Sequence, residues 1–198
     1  MPSLEWIKPL VRAAQAHVPS AAGLPVVVVR VDEQRLYLWD AGWVTDIYDI
    51  SSAWRGVGSE EGTYRTPLGL HRVAERHGSG ARPGTIFRAR ASTGRVARIL
   101  TGAGERSPED NITSRILWLE GLEPGRNRGG SVDSFARYIY IHGTDEEGRI
   151  GTPASEGCIR MRNDDVIQLF DELPLGALVL ILEGPDYDPA GNVPVEQA

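Results

Sequence analysis

The 198-residue chain is poor in the residues that build several common kinds of site. It has one cysteine, Cys158, so it can form neither an internal disulfide nor a thiolate cluster around zinc. It has one lysine, Lys8, and a formal net charge of −6, with no basic stripe of the kind that binds nucleic acid. No apolar run approaches the roughly 18 residues of a membrane-spanning helix. We therefore expect no nucleic-acid partner and no membrane insertion.

The first residues also lack the pattern of a secretion signal. Glu5 and Pro9 stand where a signal peptide has a basic region followed by an apolar run. If Met1 is the native start, we expect a cytoplasmic protein. If a leader has been removed, we expect a periplasmic one.

Length and composition predict one catalytic domain with short additions. The chain is 41% hydrophobic and 24% charged, which is ordinary for a globular protein, and two domains would each be small. We assign residues 1–25 to an N-terminal helix and linker and residues 26–183 to the catalytic domain. Residues 184–198 are rich in Pro, Gly, Asn and Asp and are expected to form a flexible tail.

Strand patterns dominate the chain, with few helices and no alternation of strands and helices. This indicates a mainly β domain, a sandwich or partly closed barrel, with a short N-terminal helix and one helix after Cys158. Asn163 is predicted to cap the second helix. Residues 78–110 show little regular pattern, and we expect them to form a flap over the substrate. Strands are predicted at residues 26–31, 36–39, 43–51, 70–74, 85–90, 112–120, 138–142 and 177–182.

The candidate reactive side chains are concentrated in residues 138–162. Isoleucines alternate with tyrosines and a histidine over residues 138–142, which predicts a half-buried strand ending in His142. The chain can turn at the following glycine, and a polar loop can then return Cys158 to the histidine. Gly157 precedes the cysteine, so the N–H groups of Gly157 and Cys158 could point at one oxyanion.

A thiol beside an imidazole points to nucleophilic catalysis. A free thiol has a pKa of about 8.5, so a histidine within hydrogen-bond reach supplies the base that it needs. From the residues alone two interpretations stay open, because a lone cysteine is also often a small buried apolar residue. His71 and His77, in and just after the predicted strand at 70–74, are more typical of ordinary polar residues.

Several motifs resemble those of a known family. The sequence His-Gly-Thr at 142–144, followed after a short loop by Ser-Glu-Gly-Cys-Ile-Arg-Met at 155–161, resembles the signature of the L,D-transpeptidase catalytic domain, the YkuD family. Residues 34–39 are similar to that family's first strands, and residues 65–69 to its Thr-Pro-x-Gly turn. The resemblance runs from about residue 26 to residue 183.

The resemblance implies an acyl-enzyme that acts on the tetrapeptide stem of bacterial peptidoglycan. The bond cut would join the L-centre of the diamino acid at position three to the terminal D-Ala. Cys158 would be the nucleophile, His142 the general base and Gly157 an oxyanion donor, with no metal or cofactor. We expect the substrate to be bound by residues near this centre: Tyr140, Gly143, Thr144, Ser155, Glu156 and Arg160.

The sequence departs from the family pattern at Glu156, where many members have a second histidine. Arg160 and Arg162 are candidate partners for this carboxylate, and a substrate ammonium is another. Glu156 would otherwise be an exposed acid without a role. Arg160 could instead anchor a substrate carboxylate.

The acceptor of the acyl group is open. A cytoplasmic enzyme would meet only precursor or recycled peptides, which favours water and an L,D-carboxypeptidase in peptidoglycan recycling. The alternative is an L,D-transpeptidase that forms cross-links or exchanges D-amino acids in the cell wall. Two other classes are a metal hydrolase using Cys158, His142 and Glu156, and a wall-peptide binder without catalysis.

Overall fold

The computed structural model describes residues 4–184, in which two helices pack on one mixed β-sheet. The helices are α1 (Ile7–His17) and α2 (Asn163–Glu172). Of the predicted tail at 184–198, all but Gly184 lies outside the described residues. The strands are β1 (Val26–Arg30), β2 (Arg35–Asp40), β3 (Trp43–Asp49), β4 (Gly69–His77), β5 (Thr85–Arg88), β6 (Ala91–Val96), β7 (Ile112–Gly121), β8 (Tyr140–Thr144), β9 (Ile159–Met161) and β10 (Leu178–Leu182).

The first and last strands lie side by side near the middle of the sheet. β1 pairs with β10 in parallel, with Val26 opposite Leu178. The strand order is β3-β2-β1-β10-β4-β7-β5-β6, and β8 pairs with both β7 and β9. The pairing of β8 with β9 is also parallel, and the other strand pairs are antiparallel. The prediction of a mainly β domain is confirmed.

Both faces of β1 and β10 are covered. On one face, side chains from most strands pack with α2 in the main core. On the other face, α1 contributes its apolar side, formed by Ile7, Leu10, Val11 and Ala14. This double cover explains why β1 is a continuous run of buried valines rather than an alternating pattern. Neither helix within residues 4–184 is long and apolar enough to cross a membrane.

The strand that carries His142 differs from its prediction. It begins at Tyr140 rather than Tyr138, and all five of its residues are buried. Tyr138 precedes the strand, is 54% exposed and has a φ of +57°. Because β8 lies between β7 and β9, the alternation of isoleucine with tyrosine and histidine separates two buried faces rather than a buried face from an exposed one.

Residues 78–110 contain more regular structure than predicted. β5 and β6 form a hairpin at the edge of the sheet, and β6 is missing from the prediction because all six of its residues are exposed and follow no apolar alternation. The segment after β6 is tied to the turn that follows β8. There the Leu100 N–H donates to the Asp145 carbonyl at 2.7 Å, and the Gly148 N–H donates to the Leu100 carbonyl at 2.9 Å.

Asn163 begins α2 but does not cap it, contrary to the prediction. The residue at the cap position is Arg162, and no side chain makes a capping bond there. The Asn163 side chain instead donates to the Thr144 carbonyl at 2.9 Å and accepts from the Thr113 hydroxyl at 2.7 Å. Buried polar groups at the ends of β7 and β8 need partners, and Asn163 satisfies them.

Candidate active site

Strand pairing brings the two halves of the predicted motif together. His142 on β8 lies opposite Arg160 on β9. Paired residues on neighbouring strands point to the same side of a sheet, and alternate residues along a strand share a side. Tyr140, His142, Cys158 and Arg160 therefore share one face, while the isoleucines between them lie in the main core.

His142 is held in one tautomer by the backbone. It is 3% exposed, and its Nδ1 lies 2.8 Å from the Gly143 carbonyl oxygen. A carbonyl can only accept, so Nδ1 carries the hydrogen and Nε2 carries the lone pair. No residue between 4 and 184 forms a hydrogen bond with Nε2. Burial lowers the pKa of His142, so the ring is neutral at pH 7 with a basic nitrogen available.

Cys158 is a protonated thiol in this arrangement. Its sulfur accepts from the Tyr140 N–H at 3.4 Å and donates to the Tyr138 carbonyl at 3.4 Å. Burial raises the pKa of the thiol to about 11, with Asp110 also raising it, while the Tyr140 N–H and Arg160 lower it. Within the described chain no hydrogen bond joins the sulfur to His142. The two groups occupy diagonal positions on adjacent strands, and such catalytic contacts often tighten only when substrate binds.

The turn before Cys158 requires a glycine. Gly157 has a φ of +127°, where a residue with a side chain would be strained. Ser155 is buried inside this turn. Its hydroxyl donates to the Cys158 carbonyl at 2.6 Å and accepts from the Gly157 N–H at 3.3 Å. Ser155 thus holds the turn before Cys158 from within, and the Gly157 N–H, which was predicted to face an oxyanion, donates to Ser155 in this structure.

A second segment holds the same turn from outside. The Thr66 hydroxyl, in the Thr-Pro-x-Gly motif, donates to the Gly157 carbonyl at 3.0 Å and accepts from the Ala53 N–H at 3.0 Å. The Trp54 N–H donates to the Ser155 carbonyl at 3.0 Å. The motif was visible in the sequence, but its contact with the nucleophile turn was not, since 91 positions separate Thr66 from Gly157.

Gly143 and Thr144, both predicted to bind substrate, are buried within the sheet. A Cβ on Gly143 would lie 2.7 Å from the Thr113 carbonyl oxygen, so only glycine allows β7 to approach this closely. The Thr144 hydroxyl accepts from the Glu146 N–H at 3.1 Å. These contacts place both residues in support of β8.

Aromatic rings form a wall beside the thiol. Phe135 stacks on Trp118 with ring centres 4.0 Å apart, and Tyr140 meets Trp118 edge-on at 5.5 Å. The Arg90 guanidinium, from the turn between β5 and β6, lies over Trp118 at 4.7 Å and over Tyr138 at 5.5 Å. Sequence reasoning missed this wall because Trp118 looks like any core residue of a buried strand.

Arg160 pairs with acids other than the predicted Glu156. It is 2% exposed, binds Glu146 at 2.9 Å and forms a second ion pair with Asp110. Glu146 is 4% exposed and also binds Arg149 at 2.7 Å. Burial raises the pKa of Glu146, but hydrogen bonds from the Ser107 N–H and from both arginines together hold it below its usual value. The acids near Arg160 in space come from distant loops, so no local spacing revealed them.

The second candidate partner for Glu156, Arg162, also pairs with other residues. Arg162 lies 3.5 Å from Asp49 and 3.8 Å from Asp165. Glu156 is exposed and forms no ion pair with any residue in the described part of the chain. It therefore presents an uncompensated carboxylate two residues before the nucleophile.

A cavity of about 610 Å³ lies next to Glu156 and Arg160, which flank Cys158 in the sequence. Most of its lining residues are charged, and several of them come from the segment before β7. Its lining residues are Trp54, Arg106, Ser107, Pro108, Asp110, Glu146, Arg149, Pro153, Ala154, Glu156 and Arg160.

Comparison with known proteins decides the family. A sequence model of the L,D-transpeptidase catalytic domain (YkuD) matches residues 25–181. The chain belongs to the YkuD family. This makes it an enzyme of the L,D-transpeptidase family, whose members act in peptidoglycan.

Curated relatives of this YkuD domain carry the same family name. The probable L,D-transpeptidase ErfK/SrfK of Salmonella typhimurium is 31% identical over 159 residues, which cover 80% of this chain and 44% of the relative. The putative L,D-transpeptidase YqjB of Bacillus subtilis is 51% identical over 93 residues, which cover 42% of this chain and 53% of the relative. The chain thus spans about half the length of these relatives.

A solved structure shows the same fold. L,D-transpeptidase 3 from Mycobacterium tuberculosis aligns with a TM-score of 0.50 at 13% identity, covering 81% of this chain and 61% of that one. At this identity the likeness supports the YkuD fold and nothing finer.

The described residues provide no ligand set for the metal-hydrolase alternative. Among residues 4–184, no three His, Cys, Asp or Glu side chains come together in a group that could hold a metal ion. Cys158, His142 and Glu156 do not form such a group.

Proposed function

We propose that this YkuD domain removes the terminal D-Ala from a peptidoglycan tetrapeptide stem through a cysteine acyl-enzyme, with water as the acceptor. One observation carries the proposal. Cys158 and His142 share a face of adjacent strands, and the lone pair of His142 Nε2 has no partner within residues 4–184. A merely structural histidine has no need of an unused basic nitrogen.

Acylation starts from a neutral pair. The Cys158 thiol is protonated and His142 is uncharged, so His142 Nε2 takes the thiol proton as the sulfur attacks the carbonyl of the residue at position three. The Cys158 N–H holds the resulting oxyanion, and the Gly157 N–H joins it by exchanging its 3.3 Å bond to Ser155. The C–N bond then breaks, and D-Ala leaves with the proton that His142 returns.

Deacylation uses the same imidazole. His142 Nε2 takes a proton from water as the water oxygen attacks the thioester carbonyl. The C–S bond then breaks, the Cys158 sulfur regains a proton from His142, and the tripeptide stem leaves with a free carboxyl group. No other group of the chain has to carry a proton. Water also needs no second peptide site, which supports hydrolysis as the outcome. Location in the cytoplasm stays a prediction.

The second candidate outcome is transfer to an amine. The curated relatives are named L,D-transpeptidases, which favours an amine from a second stem or a free D-amino acid as the acceptor. Acylation is identical in both cases, and only the second step differs.

Mass spectrometry of the reaction products tests the proposal. Wild type and Cys158→Ala are incubated separately with a soluble disaccharide tetrapeptide, with and without added D-methionine as an amine acceptor. We expect wild type alone to release one D-Ala and accumulate the tripeptide. Dimers or D-methionine adducts would show that the acceptor is an amine and not water. Equal amounts of product from wild type and Cys158→Ala would show that Cys158 is not the nucleophile.

A further inference from the structure

The charged cavity beside the nucleophile contains two kinds of charge. Glu146, Asp110, Arg149 and Arg160 are joined to one another by ion pairs. Their two positive and two negative charges neutralise one another. This group of four therefore does not select the sign of a ligand's charge.

Two other charged side chains of the cavity are exposed and free of such pairs. Glu156 and Arg106 both line the cavity, and neither forms an ion pair or side-chain hydrogen bond with a residue in 4–184. They do not pair with each other. The cavity thus offers one carboxylate, from Glu156, and one guanidinium group, from Arg106.

A ligand that satisfies these groups carries an ammonium and a carboxylate close together. A simple cation would leave the Arg106 guanidinium without a partner, and a simple anion would be repelled by Glu156. A neutral group would satisfy neither charge. A zwitterionic amino-acid centre matches both signs at once.

We propose that the cavity binds the zwitterionic end of a diamino acid side chain in the stem, with Glu156 on the ammonium and Arg106 on the carboxylate. This rests on the proposed function. Glu156 and Arg160 stand two residues before and two residues after Cys158. Cys158 itself does not line the cavity, but the lining residues Glu156 and Arg160 flank it in the sequence, so the cavity adjoins the segment to which the acylated residue would be attached.

The proposal makes Glu156 and Arg106 specificity-determining residues at position three. A lysine there presents the ammonium without the carboxylate, and an amidated diaminopimelic acid presents an uncharged amide in its place. A charge-assisted hydrogen bond lost in this way lowers kcat/KM by about 10- to 100-fold. Wild type is expected to prefer the free diaminopimelic acid over both by a factor in this range.

Kinetics with three soluble tetrapeptides, identical except for diaminopimelic acid, its side-chain amide or lysine at position three, provide the test. Arg106→Gln is expected to bring the ratio of kcat/KM for diaminopimelic acid over lysine close to one. Glu156→Gln is expected to lower kcat/KM for all three peptides, since all carry the ammonium. Arg95→Gln on β6 and Glu183→Gln after β10 are the matched controls, because both residues are exposed and lie outside the cavity lining. A ratio that stays at the wild-type value in Arg106→Gln, or a kcat/KM that stays at the wild-type value for all three peptides in Glu156→Gln, would overturn the proposal.

Binding without turnover separates this inference from the proposed function. Calorimetry with Cys158→Ala measures the affinity for the same three peptides, and Arg106→Gln and Glu156→Gln are added to that background. Tighter binding of the diaminopimelic peptide, weakened by either addition, supports the cavity assignment even if wild type turns nothing over. Equal affinity for all three peptides overturns the cavity assignment even if wild type releases D-Ala rapidly.

Discussion

His71 on β4 and His142 on β8 are both buried strand histidines held by a backbone carbonyl. His71 Nδ1 lies 3.0 Å from the Gly69 carbonyl oxygen, and His142 Nδ1 lies 2.8 Å from that of Gly143. Both rings therefore carry their hydrogen on Nδ1. They differ at Nε2, where His71 accepts from the Ser134 hydroxyl at 2.9 Å and His142 has no partner within residues 4–184.

On the proposed function, this difference separates a structural histidine, His71, from the proposed general base, His142. Burial lowers the pKa of His71 to about 4 and also lowers the pKa of His142, so burial and charge state do not distinguish them. The Nε2 lone pair does, because a nitrogen that already accepts a hydrogen bond cannot take a proton from a thiol without first losing that bond.

The largest expected effect comes from removing the free nitrogen. Asn at position 142 can still donate to the Gly143 carbonyl but has no group at the place of Nε2. We expect His142→Asn to lower kcat for D-Ala release by about 10²- to 10⁴-fold, the usual contribution of a general base. His71→Asn is the matched control, and we expect it to keep kcat near wild type. A comparable loss of kcat in His71→Asn would show that the free Nε2 of His142 does not distinguish its role from that of His71.

Acid pH should destabilise the fold through His71. Folding lowers the pKa of His71. Below pH 6.5, His71 is therefore protonated in the unfolded chain but stays neutral in the folded chain until the pH nears its lowered pKa. Stability is therefore fully present above pH 6.5 and is lost as pH falls towards 4, by about 3 kcal/mol for this one group. Urea unfolding of wild type and His71→Asn at pH 7.0 and 4.5 measures the difference. A pH dependence that is identical in both proteins would contradict the assignment.

Freeing His71 Nε2 makes the two histidines alike at that atom. Ser134→Ala removes the donor and leaves the buried nitrogen without a partner, which we expect to lower the free energy of unfolding by about 1–3 kcal/mol. Urea unfolding at pH 7 gives the value. D-Ala release should stay near the wild-type rate, since no thiol accompanies this ring, and a faster or slower rate would connect His71 to the reaction.

The smallest effect is expected in thiol alkylation. Because burial raises the pKa of Cys158 to about 11, iodoacetamide should react slowly at pH 7, and its rate should rise with pH across the range 6 to 10. His142→Asn should change this rate little, because a neutral pair holds no thiolate for the imidazole to stabilise. A rate plateau below pH 8 that disappears in the variant would indicate a charged pair instead.

The sequence predicted the parts of the site that lie close together in the chain or resemble a family motif. His142, Cys158 and Gly157 were placed from the spacing of strand, glycine and loop, and the structure brings them to one face of β8 and β9. The domain was expected to be mainly β because strand patterns outnumber helical ones, and the length of β8 was misjudged because both of its faces are buried.

Contacts between distant segments were not predictable in the same way. One of the two alternatives for Arg160 was a pairing with Glu156, four positions away, but its partners are Asp110 in the segment before β7 and Glu146 in the turn after β8. The sequence does not indicate which residues Thr66 and Trp118 contact. Their roles arise only from which strands become neighbours, and this is decided by the whole fold.

The central pairing of β1 with β10 has a consequence for how the chain is made. Val26 emerges early in synthesis, while its neighbour Leu178 emerges about 150 residues later. Long separations of this kind slow folding, because a large loop must close before the contact forms. A chain truncated before residue 178 lacks the strand between β1 and β4, so the sheet that supports the nucleophile cannot be completed. The sheet around Cys158 is therefore completed only in a chain translated through β10.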